Sequence, residues 1–415
     1  MRKYAIDILK IILIILFVSL FITFYQYVGH EIINISNRLV NDHYVILLLA
    51  MLTGIVGYIG IFYLNKIIPG YYGSGIPQIE AYYRGWYSFS PYKMLLLIIV
   101  NSFFAFFTGF LLGSEGPSIS IGTSVAQIGN QAFKSNDKEI EACGGSAGFG
   151  CAFMSPLAGL CHLIEENKHM LSISLIIKGV ITIFSSFIIC YFLYDHSLLP
   201  YFELDYLPIK YYLLLAFLIP ICILIGKLYM FLIVKIKDLS KKYKVMIYIT
   251  PILIILFLLI KRFNPVLVGN GGLVFSLTSL DYTLIAFLGI LIFRLIFTSL
   301  SVSSNVSGGI VLPMLSIGTL SAFVLVKIYS CFDSHITNYT PIFVICGMLG
   351  VFALVTKAPL TSIVLGLKCA PIRVIALPIV LFILLTYLIM SLVHKNKWEN
   401  IYHRLEKRLP GYAGH

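Results

Sequence analysis

Apolar residues run in long blocks along the chain, and glycines, prolines or short polar stretches separate one block from the next. A helix needs ~20 apolar residues to cross a bilayer, whereas shorter pieces are more often re-entrant or buried. On that measure 9–28, 45–65, 94–112, 171–194, 211–236, 245–261, 283–301 and 372–393 predict full spanning helices. The blocks 117–129, 142–154, 156–165, 309–328, 341–355 and 359–367 lie between helix breakers and predict half-helices that meet inside the bilayer. The alternation expected of a membrane β-barrel is missing, which leaves helices to satisfy the backbone in lipid.

Composition excludes an ordinary soluble protein. The 415 residues are 59% hydrophobic and 12% charged, with a mean hydropathy of +0.94, so the fold class is all-α integral membrane. The net charge of +12 raises nucleic acid as a partner, but the lysines and arginines fall in short segments beside apolar blocks, where membrane orientation explains them. Eight cysteines are scattered singly with no C-x-x-C pair, so they read as buried small hydrophobes and not as a disulfide or metal framework. The first apolar block is long for a signal peptide and reads as the first membrane helix.

Basic residues then set the sidedness. Arg2, Lys3 and Lys10, the cluster Lys235, Lys237, Lys241, Lys242 and Lys244, and the tail residues Lys395, Lys397, Arg404, Lys407 and Arg408 predict cytoplasmic N- and C-termini. The connections 195–209 and 329–340 contain acidic residues but no Lys or Arg, and are expected outside.

Glycine clusters reveal an internal repeat. Gly73 and Gly269 are separated by 196 residues, as are Pro117 and Pro313, and Pro156-Leu157 recurs as Pro359-Leu360. The connection carrying Lys134 and Lys138 corresponds to the base-free 329–340, so the repeats are expected to be inverted. We assign 1–209 to the first repeat, 210–394 to the second and 395–415 to a short cytoplasmic segment, with the two repeats forming one transport unit.

One carboxylate stands out within this pattern. Glu115, in Gly113-Ser114-Glu115-Gly116-Pro117, lies between apolar blocks, where a charge costs at least ~2.5 kcal/mol and is a functional candidate by default. The glycines free the backbone, and Pro117 suits a first helical turn, so a broken helix presents its N–H groups to an anion beside Glu115. Burial disfavours the charge of such a carboxylate while helix N-termini favour it, so it can switch with proton supply.

Four blocks together resemble the CLC family of chloride channels and chloride/proton antiporters: GSGIP at Gly73–Pro77, GSEGP at Gly113–Pro117, GIVLP at Gly309–Pro313, and the run Pro156–Glu166. The resemblance implies a CLC-type inverted repeat of tilted and broken helices, and a homodimer in which each subunit carries its own pore. It implies an anion site formed by Ser74, Gly75, Ile76, Gly116, Ile310, Val311 and Tyr402. Glu115 matches the family's gating glutamate and Glu166 the inner glutamate that passes protons to the cytoplasm. The implied function is chloride transport, with other anions open, coupled to proton counter-transport; a passive channel is the alternative. The serine at 74 resembles the chloride members, whereas fluoride members usually have Met there and plant nitrate members Pro. Departures are Ser114 where the family has arginine, Val311 where it has phenylalanine, and Lys368 where many members are acidic.

Chloride, protons and the bilayer are thus the expected partners, with no cofactor, metal or nucleic acid. A prokaryotic inner membrane is expected from the small size and the lack of a following regulatory domain. Three competing readings attach to particular residues. Glu166, like Glu165, could be a solvated charge at a helix end. Gly144-Gly145-Ser146-Ala147-Gly148 satisfies G-x-S-x-G and His162 follows, which raises an intramembrane serine hydrolase, although small residues at close helix contacts explain the run better. His162, Glu166 and His169 share a helical face at metal-ligand spacing, but no fourth ligand is identifiable. No enzymatic activity is therefore expected.

Overall fold

A computed structural model describes residues 2–277, 281–394 and 399–412, with side chains from residue 6 onward. Lys395 and Lys397 of the basic tail lie outside the described residues. The first half runs α1 (Arg2–Asn41), α2 (Tyr44–Ile67), α3 (Ile76–Tyr83), α4 (Pro91–Thr108), α5 (Glu115–Ala132), α6 (Lys138–Ala152), α7 (Pro156–Glu166) and α8 (Ile173–Leu193). The second runs α9 (Tyr212–Tyr243), α10 (Met246–Phe263), α11 (Gly272–Phe275), α12 (Leu284–Ser303), α13 (Val311–Tyr329), α14 (Thr340–Thr356), α15 (Pro359–Lys368) and α16 (Ile372–His394), followed by α17 (Ile401–Glu406). Ten helical segments among the described residues are long and apolar enough to cross a membrane, and the protein is an integral membrane protein.

The eight expected spanning helices are present with shifted ends, but two blocks expected as half-helices, 309–328 and 341–355, lie in the segments Val311–Tyr329 and Ser334–Thr356, which are themselves long and apolar enough to cross a membrane. Helix α4 stops at Thr108 instead of continuing to 112, because Gly109 adopts a left-handed φ of 77° and its N–H caps Ala105. The chain then bends through a tight turn, in which the Leu112 N–H donates to the Phe110 carbonyl at 2.8 Å, before reaching Gly113, and α5 begins two residues before Pro117, which occupies the first turn. The short α3 and α17 follow motifs whose apolar runs are too brief to predict a helix.

The inverted repeat is visible in the packing. Gly113 and Gly309 form an antiparallel bridge, exchanging N–H···O bonds of 2.7 and 2.6 Å. These residues are 196 apart, the repeat offset, and reciprocal antiparallel pairing of equivalent positions places them on a pseudo-twofold axis. On either side, α5 crosses α6 at Gly122 and Gly144, and α13 crosses α14 at Gly318 and Gly347. A Cβ on Gly122 would lie 2.1 Å from the Gly144 carbonyl oxygen, and one on Gly318 would lie 2.3 Å from that of Gly347. These glycines bring two backbones into contact, as small residues do in membrane helix pairs.

Contacts at the ends of the helices separate two faces. On one, Lys10 reaches Ser135 Oγ at 3.0 Å, and Arg408 pairs with Asp238 at 2.6 Å. On the other, Lys210 and Tyr211 both bond Asp333 at 2.7 Å, and Lys210 in particular holds that carboxyl down to about 2. The connections 195–209 and 329–340 therefore share a face, as their charges predict.

If the glycine crossings carry assembly, Gly122→Ala and Gly318→Ala should each destabilise the protein by about 1–3 kcal/mol, the cost of overpacking. Gly289→Ala, where a Cβ meets nothing within 4 Å, should not. Thermal unfolding in detergent distinguishes the two classes.

Candidate functional site

Three helix N-termini converge at the bridge. The Gly308 N–H donates to the Gly73 carbonyl at 3.0 Å, which ties the loop before α3 to the loop before α13. A Cβ on Gly116 would meet the Ser74 carbonyl oxygen at 2.3 Å and Ser74 Oγ at 2.6 Å, so the start of α5 lies directly on Ser74. Gly75, with φ of 82°, caps α3 where a Cβ would fall 1.9 Å from Ser120 Oγ. Only glycine fits that conformation in that space.

Glu115 lies at the centre, fully buried. Its Oε1 accepts from the Leu312 N–H at 3.1 Å, in the first turn of α13, while Oε2 has no hydrogen-bond partner among the described residues. The carboxylate thus occupies the place of an anion at a helix N-terminus. Ile310 and Val311, also fully buried, flank that donor, and Tyr229 Oη on α9 fixes the Ile310 carbonyl at 3.1 Å. Neither Leu312 as the donor nor Tyr229 could be found from the sequence motifs, because a backbone N–H carries no side-chain signal and Tyr229 lies in a long, mostly apolar helix block without a motif of its own.

Ser74 Oγ and Tyr402 Oη are buried hydroxyls with no hydrogen-bond partner among the described residues. Leaving such a group unbonded costs about 1–3 kcal/mol, so an acceptor brought from solution fits both. The Tyr402 hydroxyl lies within electrostatic reach of Glu166, Glu80, Glu115 and Tyr229, which groups it with the proposed anion path. A cavity of about 30 Å³ leads from Ser74 past Lys237 and Arg408. It adjoins an open mouth of about 580 Å³ lined by Lys66, Lys237, Lys241, Lys244 and Arg408, with Asp238 the only acid. A cationic funnel of this kind concentrates anions.

The inner carboxylates divide sharply. Glu165 is not a solvated charge: it is buried and accepts from Leu360 N, Thr361 N and Thr361 Oγ1 at 2.7, 2.9 and 2.6 Å, capping α15. Glu166, its neighbour, lines a second mouth of about 500 Å³ with Arg84, Trp86, Lys168 and His169, and also a cavity of about 20 Å³ on its inner side. Glu80 on α3 faces the same inner cavity, is buried, and lies 3.6 Å from Arg84 Nη2. The sequence reading missed Glu80, though the cost of a carboxylate so close to the GSGIP block is the signal that finds Glu115.

Comparison with known proteins agrees with this geometry. The family described as "Voltage gated chloride channel" matches residues 56–391. The chain belongs to that family. Among the curated proteins, an H(+)/Cl(-) exchange transporter ClcA of Klebsiella pneumoniae is 29% identical over 362 residues, covering 82% of this chain and 76% of the relative. The ClcA of Vibrio campbellii is 27% identical over 347 residues, covering 80% and 74%. Among solved structures, a slow cyanobacterial Cl-/H+ antiporter aligns with a TM-score of 0.85 at 21% identity, covering 96% of this chain and 97% of its own. A CLC-type fluoride/proton antiporter aligns at 0.74 and 17% identity, covering 97% and 98%. These structural likenesses establish the CLC fold.

Within that fold, the residues that depart from the family pattern acquire partners. Ser114 Oγ donates to Gln26 Oε1 of α1 at 3.3 Å, and Gln26 Nε2 donates to Ser118 Oγ at 2.9 Å, so a neutral network lies beside Glu115. Lys368 donates to Ser197 Oγ at 2.8 Å and to the Phe153 carbonyl. Arg294 of α12 is fully buried and bonds Ser316 Oγ and the carbonyls of Val266, Val268 and Gly269. It thereby joins the loop before α11 to α13.

The two rival motifs fare differently. Ser146 and His162 do meet, with Oγ 3.2 Å from Nδ1 across α6 and α7, but no carboxylate bonds His162 among the described residues. Helix α7 ends at Glu166 and Lys168–Met170 forms a 3-10 turn, so His169 leaves the helical face that would align it with His162 and Glu166.

Helix α17, which carries Tyr402, is held by Arg84 bonding both oxygens of the fully buried Glu406 at 3.1 and 3.0 Å, with His403 Nδ1 3.2 Å from Glu406. Breaking a buried pair of this kind costs about 3 kcal/mol. Glu406→Ala should lower stability by that amount and expose the segment after residue 399 to limited proteolysis.

Proposed function

We propose that this protein exchanges chloride for protons across a membrane. The observation carrying this reading is the separation of two routes on one face. The cationic mouth leads to Ser74, while a different mouth ends at Glu166. An anion and a proton sharing one route would neutralise the coupling between them. Glu115 belongs to both paths: as a carboxylate it occupies the anion place at Leu312, and as a carboxylic acid its attraction to that N-terminus weakens, so it can leave. The ClcA relatives, which are H(+)/Cl(-) exchange transporters, support the same reading.

In this reading Ser74 and Tyr402 donate to the central chloride, and backbone N–H groups at Gly75, Ile76, Gly116, Ile310 and Val311 supply the remaining positive field. Residues 1–209 and 210–394 form one transport unit. Cytoplasmic N- and C-termini, a bacterial inner membrane and a homodimer with one pathway per chain complete the proposal. The basic residues on one face support the orientation. A passive anion channel would need no carboxylate at the second mouth, which favours exchange.

In reconstituted vesicles an imposed chloride gradient should drive protons uphill; failure to do so rejects exchange in favour of the channel. Glu166→Gln should reduce proton movement to the level of protein-free vesicles while chloride still crosses. Glu115→Gln should remove both proton coupling and the pH dependence of chloride flux, as measured with a chloride electrode and a pH electrode together.

A further inference from the structure

The geometry points to His162 as a relay that carries the proton between Glu166 and Glu115. This rests on the exchange reading and names a group that the two glutamates leave unassigned. Beside Glu166 lies the cavity of about 20 Å³, room for one water molecule. Glu166 and His162 both line it from α7, four residues apart and so on one helical face. Its opposite wall includes Ile119 of α5, one turn from Glu115, a rise of about 6 Å. His162 therefore stands on the route from the inner carboxylate toward the gate, next to an otherwise apolar wall of Ile76, Ile79 and Ile119.

The titratable groups facing this cavity are Glu80, Tyr83, Arg84, His162, Glu166 and His169. Glu80 faces Arg84 at 3.6 Å although neither of its oxygens has a hydrogen-bond partner among the described residues, and Tyr83 Oη is engaged with Thr123 Oγ1 at 3.3 Å. Arg84 is bound to Glu406, and His169 lies on the exposed turn after α7. His162 is different. It is buried, its ring stacks on Phe149 with centroids 4.5 Å apart, and its Nδ1 meets Ser146 Oγ at 3.2 Å. An imidazole held in place can accept a proton at one nitrogen and release one from the other without moving.

The step balances as a proton relay. The Glu166 carboxyl O–H breaks as an N–H forms on Nε2; the Nδ1–H then breaks and its proton passes to Ser146 Oγ, whose own proton moves on toward the Glu115 carboxylate. One proton enters and one leaves with no electrons transferred; the ring ends neutral in its other tautomer and must turn to present its bare nitrogen to Glu166 again before a second proton can follow. Ser146 is well placed for this exit. Its neighbours Gly145 and Gly148 press α6 onto α5, where added Cβ atoms would lie 2.4 Å from Thr123 Oγ1 and 2.2 Å from the Ser118 carbonyl oxygen.

A purely structural histidine, pinning α6 to α7 through Ser146, is the competing explanation. Two variants separate them: His162→Gln retains a hydrogen-bonding group toward Ser146, and His162→Phe retains the stack on Phe149. Each would be reconstituted beside the wild type, and initial proton and chloride fluxes recorded together under a chloride gradient. Chloride flux above that of protein-free vesicles reports folding. The expected result is a proton-to-chloride ratio lowered roughly 100-fold in both variants, the lower end of what a positioned proton-transfer group contributes. Wild-type coupling in His162→Gln overturns the relay, whatever His162→Phe does. Absence of proton movement in the wild type overturns the exchange reading and the relay with it, so the two failures are distinguishable.

Discussion

The paired hydrogen bonds between Gly113 and Gly309 are the constraint on which the centre of this molecule depends. They bring the two inverted repeats into register on a pseudo-twofold axis, so that α5 and α13 begin within hydrogen-bond reach of one another. Neither residue can carry a side chain there. A Cβ at either position would lie 2.3 Å from Glu115 Oε2. Two backbone strands close enough to bond, and a carboxylate in contact with both, require glycine on each. The same contact positions Glu115 over the first turn of α13, where its charge is tolerated.

Several buried charges elsewhere have their bonds filled, whereas Glu80, with neither oxygen hydrogen-bonded among the described residues, does not. Arg294 is surrounded by carbonyls, Lys261 bonds Ser36 Oγ at 2.8 Å, and Glu165 has three donors at the start of α15. A charge with its bonds filled is fixed in place, since moving it would leave several groups unsatisfied. Glu115 has one donor and a second oxygen with none. Of the two carboxylates bound to a second-repeat helix N-terminus, one is locked and the other is held by a single bond. Glu115 is the one with less to lose on departure.

Much of this was legible in the sequence. Apolar block length gave the spanning helices, because the bilayer imposes a minimum length, and the spacing of glycine clusters gave the repeat, because close crossings recur at equivalent positions. The cost of an intramembrane carboxylate singled out Glu115. What stayed hidden depends on tertiary approach. No pattern along the chain says that Glu165 reaches α15, that Ser146 and His162 touch, or that Gln26 of α1 occupies the space left by the missing arginine beside the gate. The ends of α4 and α5 shifted for a local reason: Gly109 turns left-handed and stops a helix that hydrophobicity alone would continue.

The neutral network at Ser114 bears on how the gate is balanced. An arginine there would add a fixed positive charge near Glu115, favouring both the ionised carboxylate and anions arriving from outside. Ser114, Gln26 and Ser118 provide only dipoles, oriented by hydrogen bonds of 3.3 and 2.9 Å. The field that holds Glu115 then comes mainly from helix N-termini, which act within about one turn and fade quickly as the side chain moves away. Attraction to the closed position is therefore short in range. Once protonation loosens the single bond to Leu312, little remains to draw the side chain back except return of its charge, and the control of the gate passes to whatever supplies and removes that proton.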